Sequence, residues 1–447
     1  MKLWIKNPLS ILAENAGGGI VVEGTTIVEL VPSGANPSLT YDSVFDASSH
    51  VVLPGLINLH HHFYQTLTRV YPDALNKELF PWLQTLYPIW AKLNPEALRL
   101  GTRLALAELL LSGCTTTSDH HYVFPPGLEK AIDWQVEEAQ LLGIRVVLCR
   151  GSMDRSQKDG GLPPDSVVQT SDEILEDSER LINKYHNSNE GAMTQIALAP
   201  CSPFSVSEEV MSESSKLSKK HSVLLHTHLS ETEDENSFCL DKMGCRPLDY
   251  LEQVGWLTDR TWLAHGIHFT DTEIQKLGAS KTGIAHCPSS NMLLSSGVCR
   301  VTQLEKSGVP VGIGVDGSAS NDNSNIMKEV RQAFLLQRLH NGSQVTHLTA
   351  LSWATEGGAN VLRRPEIGRI KPGMQSDLAL FKLDELRFSG YGDPLAALVI
   401  CGAERADYVM VAGKWLVIDG QIPGLNLNEL KNQHHKAATD LQAIYLK

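Results

Sequence analysis

Short apolar segments alternate with longer helix-like segments along the chain, and this alternation limits the fold more than any other feature. Two of the helix-like segments cover 94–111 and 172–185. Eight segments rich in β-branched residues each end in polar residues, at 53–60, 114–121, 144–151, 195–203, 223–231, 261–269, 283–291 and 311–320. A repeated strand–helix unit predicts a parallel sheet, and eight units close most simply into a TIM-type (β/α)8 barrel of the α/β class.

The two ends of the chain have a different pattern. Strand-like segments such as 19–24 are separated by Gly, Pro and Ser turns, and the tail suggests hairpins at 376–384 and 408–423. We therefore expect both termini to form one small β-sandwich beside the barrel. A terminal helix over 426–446 would carry His434 and His435 on its solvated surface. The predicted units are an N-terminal sandwich part at 1–54, the barrel at 55–365, and a C-terminal sandwich part with the terminal helix at 366–447.

Charge and cysteine content limit the partners. The chain of 447 residues has 38 Lys and Arg against 51 Asp and Glu, which gives a net charge of −13. This balance argues against nucleic acid and anionic membranes as partners and is compatible with a small-molecule substrate. The eight cysteines contain no CxxC pair, and no segment approaches the about 20 apolar residues of a membrane span. We expect a cytoplasmic enzyme with reduced thiols, and leave open whether it forms a homo-oligomer.

Three consecutive histidines, His60, His61 and His62, end the first strand-like segment. Alternate residues of a strand face the same side, so His60 and His62 can hold one metal ion while His61 faces away. A lone pair of this kind is more often a chance feature or part of the core, and two histidines alone bind a metal weakly. The pattern therefore predicts further ligands at the ends of other strands.

Two later segments offer these ligands. His226 and His228 share strand parity, and His228 is nearer to the C-terminal end, where barrel enzymes gather their chemistry. We expect His226, one layer lower, to be a buried, hydrogen-bonded core residue. Asp316 ends the eighth segment beside Gly317, which would let the backbone turn close to the site. Three imidazoles and one carboxylate suit zinc or ferrous iron.

Two residues at strand ends can handle protons. Glu231 follows His228 by three residues and can swing over the same metal ion as a proton carrier. His265 would face the open coordination position and hydrogen-bond the attacking water or the tetrahedral intermediate. The order of these residues along successive strand ends predicts a metal-dependent hydrolase.

Seven motifs that span nearly the whole chain carry a family resemblance: PGLINLHHH, LLLSGCTTTSDH, HLSETEDE, TWLAHG, AHCPSSNMLLSSGV, GVDGSASND and GRIKPGMQSDLAL. With these motifs the chain resembles the amidohydrolase superfamily, in particular its branch of cytosine, guanine and S-adenosylhomocysteine deaminases. The resemblance implies a distorted barrel flanked by the small sandwich. It also implies metal ligation by His60, His62, His228 and Asp316, and catalysis by Glu231, His265 and Asp316.

The same resemblance bears on the number of metal ions. Binuclear members of the superfamily bridge two ions with a carboxylated lysine at the end of the fourth strand. The segment 185–215, which includes that position, contains no Lys. One divalent metal ion is therefore expected, with zinc as the first choice and iron as the alternative.

Three residues are expected to contact the substrate. Gln65 follows His62 by three residues, where guanine deaminases carry a glutamine, and its amide can donate and accept at once, although a solvated loop residue is the alternative. Cys201, after the fourth strand, would leave room in the pocket, or is a structural cysteine. Trp82 would stack on the substrate ring, or packs in the core.

A finer resemblance concerns the substrate. The chain is most similar to the 8-oxoguanine deaminases, often described as hydroxydechloroatrazine ethylaminohydrolase-like, in HHHFYQTLTR, SDHHYVFP and CRGSMDRSQKDGGLPPDSV. This implies hydrolysis of 8-oxoguanine, a purine, to urate and ammonia by water that the metal activates. Guanine, isocytosine and pterins are alternative substrates, and an s-triazine amino- or chlorohydrolase is the alternative reaction. A catalytically silent structural barrel is the alternative of another class, although all the expected ligands and proton-handling residues are present.

Overall fold

A computed structural model describes residues 1–443, and its strands form three sheets. In chain order the strands are β1 Lys2–Lys6, β2 Ser10–Ile11, β3 Gly19–Glu23, β4 Thr26–Val31, β5 Ser43–Asp46, β6 His50–Pro54, β7 Leu56–Asn58, β8 Cys114–His121, β9 Arg145–Ser152, β10 Thr194–Pro200, β11 Leu225–Leu229, β12 Thr261–His265, β13 Gly283–His286, β14 Val311–Ile313, β15 Leu378–Lys382, β16 Tyr408–Val411 and β17 Lys414–Val417.

The eight strands β7 to β14 form the barrel. Each pairs with the next strand along the chain, and every pair is parallel. Single hydrogen bonds bridge the seam between β14 and β7, where Leu59 N donates to Ile313 O at 2.9 Å and Asp316 N donates to His60 O at 3.0 Å. The predicted TIM-type barrel is confirmed.

The first predicted segment, 53–60, is divided between two sheets. Leu53 and Pro54 belong to β6 of the sandwich, and β7 begins at Leu56. Gly55 lies at the break, where a Cβ atom would stand 2.1 Å from Oγ1 of Thr115. The absence of a side chain therefore lets the chain pass close to β8 as it crosses from one sheet to the other.

Several of the helices between the strands begin at residues with capping side chains. In the first predicted helix, Asn94 Oδ1 accepts from Ala97 N at 2.9 Å, and Pro95 takes the first helical position. The α-helices are α1 Leu79–Trp90, α2 Pro95–Leu111, α3 Ala131–Leu142, α4 Ser171–Tyr185, α5 Glu208–His221, α6 Glu233–Met243, α7 Pro247–Gln253, α8 Asp271–Ser280, α9 Pro288–Leu293, α10 Val301–Lys306, α11 Ile326–Asn341, α12 His347–Ser352, α13 Gly358–Val361, α14 Pro394–Ala397 and α15 Leu427–Gln442. Short 3-10 helices cover Phe63–Thr68, Pro72–Ala74, Gln157–Asp159, Asp165–Val167, Gly342–Gln344 and Leu386–Phe388, and π-helical turns cover Trp353–Gly357 and Leu398–Gly402.

Two further sheets build the predicted sandwich. One has the order β4-β3-β1-β5, and the other, β17-β16-β15-β6-β2, joins both ends of the chain because β6 pairs antiparallel with β15. Apolar side chains of both sheets share one core cluster, which includes Ile5 and Ile20 from the first sheet and Val52 and Leu380 from the second. The fold class is confirmed, whereas the boundaries at 54/55 and 365/366 stay a prediction.

The terminal helix corrects one expectation. His434 is buried, and its Nε2 lies 3.0 Å from Oγ1 of Thr66, so its predicted surface position is wrong. Leu430, His434 and Ala438 follow one another at intervals of four residues and form the buried face of α15. His435 is exposed as expected, and residues 444–446 of the predicted helix lie outside the described residues.

Within residues 1–443, no helix is both long and apolar enough to cross a membrane. The eight cysteines are free thiols, and most of them are buried. This agrees with the reduced state expected from their spacing.

Candidate active site

Three imidazoles and one carboxylate converge at the C-terminal mouth of the barrel. Asp316 Oδ1 lies 3.2 Å from Nε2 of His60 and 3.3 Å from Nε2 of His62. Nε2 of His62 lies 3.2 Å from Nε2 of His228. The structure thus brings together the four residues that the sequence predicts as ligands.

Hydrogen bonds on the outer nitrogens fix the tautomers of these rings. Nδ1 of His62 and of His228 each lie 2.7 Å from a backbone carbonyl, that of His120 and that of Cys201 respectively, so each Nδ1 must carry the proton. Nδ1 of His60 is protonated as well, and the reason is its neighbour His226. Nδ1 of His226 donates to the Trp262 carbonyl at 2.9 Å, which leaves Nε2 of His226 without a proton. Nε2 of His226 therefore accepts from Nδ1 of His60, at 2.8 Å.

The unprotonated Nε2 atoms consequently face one another and the carboxylate. Burial lowers the pKa of His60 well below its usual value and that of His228 to about 3, so both rings are neutral. Nε2 of His60 is buried and has no hydrogen-bond partner among residues 1–443. Lone pairs at 3.2 Å repel unless a cation lies between them. In a tetrahedral zinc site with bonds of about 2.0 to 2.1 Å, neighbouring ligand atoms lie about 3.3 Å apart, so these residues fit a metal ion.

The backbone around Asp316 is strained in a way that serves the site. Asp316 itself, and not Gly317, has the left-handed conformation, with φ 63°. Its Oδ1 accepts from Gly317 N at 2.6 Å, and its Oδ2 accepts from Oγ of Ser320 at 3.2 Å. Gly317 is required for a different reason than expected, because a Cβ there would stand 1.8 Å from Oε1 of Gln65.

Glu231 and His265 lie beside this donor set. Nε2 of His265 is 3.5 Å from Oε2 of Glu231 and 3.9 Å from Oδ2 of Asp316. Burial raises the pKa of Glu231 above its usual value, although the neighbouring His265 acts to lower it. Burial lowers the pKa of His265, but the carboxylates of Glu231 and Asp316 outweigh this and raise it above its usual value. This arrangement can deliver and accept protons.

Asn291 holds His265 in position, a role that the sequence did not indicate. Its Oδ1 lies 2.9 Å from Nδ1 of His265, which directs Nε2 towards Glu231. Asn291 lies in α9, within the motif AHCPSSNMLLSSGV. That motif contributed to the resemblance, but a sequence pattern does not show which of its polar residues faces the site.

His61 and His226 both lie outside the donor set. His61 points away, with Nε2 2.9 Å from Oγ of Ser324. His226 is buried below the mouth, and with His60 and His120 it forms a second group of close nitrogens. Hydrogen bonds occupy both nitrogens of His226 and Nε2 of His120, which donates to Ala199 O at 2.8 Å. This lower group therefore has too few free lone pairs to hold an ion.

A cavity opens on the donor set, and His62, His228 and Asp316 form part of its lining. Gln65, Trp82 and Cys201 all line it, so the structure brings the three predicted substrate contacts together. Gln65 is only 1% exposed, which excludes the solvated-loop alternative, and its Oε1 has no hydrogen-bond partner among residues 1–443. Tyr87 and Tyr122 also line the cavity and were not predicted.

The fold and this site define a metal-dependent hydrolase of the barrel type, and the sequence pattern of the amidohydrolase family matches residues 51–416. The chain therefore belongs to the amidohydrolase family. It is 58% identical to 8-oxoguanine deaminase from Pseudomonas aeruginosa over 99% of both chains. It is 36% identical to hydroxydechloroatrazine ethylaminohydrolase from Pseudomonas sp. (strain ADP), over 84% of this chain and 80% of the relative.

Among solved structures, the fold is similar to that of a zinc complex of atrazine chlorohydrolase from Arthrobacter aurescens TC1. The TM-score is 0.91 at 28% identity, over 98% of this chain and 100% of that one. Together with the family membership, the converging nitrogen and oxygen donors define a site for one divalent metal ion.

Proposed function

We propose that the protein is a metal-dependent deaminase that converts 8-oxoguanine and water into urate and ammonia. The observation that carries the proposal is the position of Glu231, a buried carboxyl with a raised pKa, beside His265 and the donor set. Support for the substrate comes from the relative named 8-oxoguanine deaminase, which is 58% identical over nearly the whole chain.

His60, His62, His228 and Asp316 would hold the metal ion. We propose zinc rather than iron, because the four donors are spaced for a tetrahedral ion. When bound, zinc lowers the pKa of a coordinated water from about 15.7 to about 7 and so supplies a nucleophile at neutral pH.

The protein's own residues then direct the protons. Asp316 accepts the proton of the attacking water through Oδ2, the carboxylate oxygen nearer His265. Glu231 protonates the ring nitrogen next to the carbon that bears the amino group, which makes that carbon electrophilic. His265, held by Asn291, hydrogen-bonds the tetrahedral centre through Nε2. A second proton transfer releases ammonia.

The side-chain amide of Gln65 would hydrogen-bond to the edge of the purine at which an N–H group lies beside a C=O group. Its buried amide offers a donor and an acceptor side by side, and its oxygen lacks a protein partner. The small side chain of Cys201 leaves space for the second ring, and Trp82, whose Nε1 donates to Ala319 O at 3.2 Å, would cover one face of the substrate. We also propose a cytoplasmic location without a nucleic-acid or membrane partner, supported by the free cysteines and the charge of −13.

A substrate panel tests this function directly. Ammonia release should be fastest with 8-oxoguanine and slower with guanine and isocytosine, which share the N–H and C=O edge. Isoxanthopterin and hydroxylated s-triazines complete the panel. The alternative function, hydrolysis of s-triazines, is supported by the similarity to the atrazine chlorohydrolase and the ethylaminohydrolase. Turnover of triazines, with no turnover of either purine, would replace our proposal by that one.

Substitution of Gly317 by Ala should disturb substrate binding without unfolding the protein. The new Cβ would displace the Gln65 amide, whose flexible end can move aside at little cost to stability. We expect kcat/KM for 8-oxoguanine to fall by about 10-fold or more, the cost of one lost hydrogen bond and an unpaired substrate group. Metal content and thermal unfolding should stay near wild type. Gly392→Ala is the matched control, because a Cβ there meets nothing within 4 Å. Unchanged turnover in Gly317→Ala would mean that the Gln65 amide is not used.

A further inference from the structure

Tyr87 places an unpaired hydroxyl in the wall of the active-site cavity. The residue belongs to α1, is 1% exposed and lines the cavity. Its Oη is buried and has no hydrogen-bond partner among residues 1–443. A buried hydroxyl without a partner costs free energy, and such groups are rare unless a ligand satisfies them.

The ring contacts of Tyr87 differ from those of Tyr122, the other tyrosine that lines the cavity. The ring of Tyr122 contacts that of His62, with centroids 5.1 Å apart, whereas the ring of Tyr87 packs on Trp90 at 5.7 Å. Tyr87 and Cys201 line the same cavity, and burial, with a contribution from the Cys201 thiol, raises the pKa of Tyr87. Cys201 in turn adjoins the Nδ1 side of His228, opposite the nitrogen that faces the donor set.

The proposed reaction determines which part of the substrate reaches Tyr87, and the inference rests on that proposed function. Hydrolysis takes place at C2, so C2 must lie at the donor set. C8 belongs to the five-membered ring, at the other end of the fused ring system. The substituent on C8 therefore points away from the donor set, and Tyr87 and Cys201 belong to the lining of the cavity that would receive it.

We propose that the Tyr87 hydroxyl donates a hydrogen bond to the C8 carbonyl oxygen of 8-oxoguanine and thereby selects the oxidised purine over guanine. Guanine carries C8–H at this position and would leave the buried hydroxyl unpaired. A site built to hydrogen-bond one polar group discriminates against the analogue that lacks it. Burial raises the pKa of Tyr87 well above its usual value, so the hydroxyl keeps its proton and stays a donor.

Tyr87→Phe removes this one atom and tests the proposal. We expect kcat/KM for 8-oxoguanine to fall about 10-fold, and kcat/KM for guanine and isocytosine to stay within about 2-fold of wild type. Isocytosine is informative because it has the N–H and C=O edge but no second ring. Tyr250→Phe is the matched control, since Tyr250 is a buried tyrosine whose hydroxyl also lacks a hydrogen-bond partner among residues 1–443, but it is not among the residues lining the cavity. It should leave the ratio of the three substrates unchanged.

Product binding gives a second measurement that does not need turnover. Urate carries the C8 carbonyl, and xanthine, the product from guanine, does not. Wild type should bind urate more tightly than xanthine, and Tyr87→Phe should remove most of that difference. An unchanged 8-oxoguanine to guanine ratio in the variant, or an equal loss on all three substrates, would overturn the role of Tyr87 while leaving the deaminase function intact. A wild-type protein that releases no ammonia from any of them would overturn both.

Discussion

Replacement of Glu231 by Gln should abolish most turnover and leave the metal ion in place. Glutamine has nearly the same shape but cannot carry a proton at this position. General acid–base groups contribute about 100-fold to 10,000-fold to rates, and a loss of this size in kcat is expected. The measurement is ammonia release under saturating 8-oxoguanine, together with elemental analysis of the purified variant.

The structure explains why this change should act on the chemistry alone. Glu231 is 4% exposed, and its carboxyl lies 3.5 Å from His265 and 3.5 Å from Oγ of Ser296. Gln can keep these contacts and the local packing. The proposed ligand set does not include Glu231, so metal content should equal that of wild type.

Glu235→Gln provides the matched control. Glu235 is also fully buried, and burial raises its pKa to about 7, but it does not line the cavity. Its Oε2 accepts from the backbone of Glu231 at 3.0 Å, an interaction that an amide oxygen can retain. The control should keep most of its activity. Substantial turnover in Glu231→Gln would require a different general acid.

The barrel could be predicted from the sequence because its signal is repeated. Each of the eight predicted segments combines a short apolar run with a polar end, and the strand ends meet at one mouth whatever the exact bounds. The ligand set follows from the same rule. His60 and His62 lie just beyond the last residue of β7, yet the chain there stays extended enough for the two rings to converge and His61 to point away.

The other cavity residues do not follow from the strand pattern, because their positions depend on tertiary packing. Gln65 and Trp82 were predicted with alternatives left open, and Tyr87 was not predicted. Tyr87 and Trp82 lie in α1 and line the cavity from there. No local sequence pattern shows how close this helix packs to the barrel mouth. Gln65 owes its place to a 3-10 turn that begins where Phe63 N donates to Asp119 Oδ1 at 2.6 Å. His434 looked solvated because its neighbours along the chain are polar, whereas burial is decided by what α15 packs against.

Replacement of His228 by Ala should remove the metal ion and with it the activity. The change deletes one of three imidazole donors, and the small side chain offers no substitute ligand. Loss of a residue that only orients a ligand lowers metal affinity by about 10- to 100-fold, so the loss of a ligand itself should exceed that range. Zinc content after dialysis, and competition with a chelator of known affinity, measure the effect without relying on turnover.

Alanine variants of two other histidines serve as comparisons for this result. His286→Ala removes another buried imidazole, from β13, whose Nε2 lies 3.4 Å from Nε2 of Gln337 and which is not among the proposed ligands, so zinc content should stay normal. His226→Ala should give an intermediate loss, because the hydrogen bond from His60 Nδ1 that fixes the tautomer of that ring disappears. Full zinc occupancy in His228→Ala combined with none in His226→Ala would show that the lower histidine is the ligand, since each variant removes one ring of the same strand.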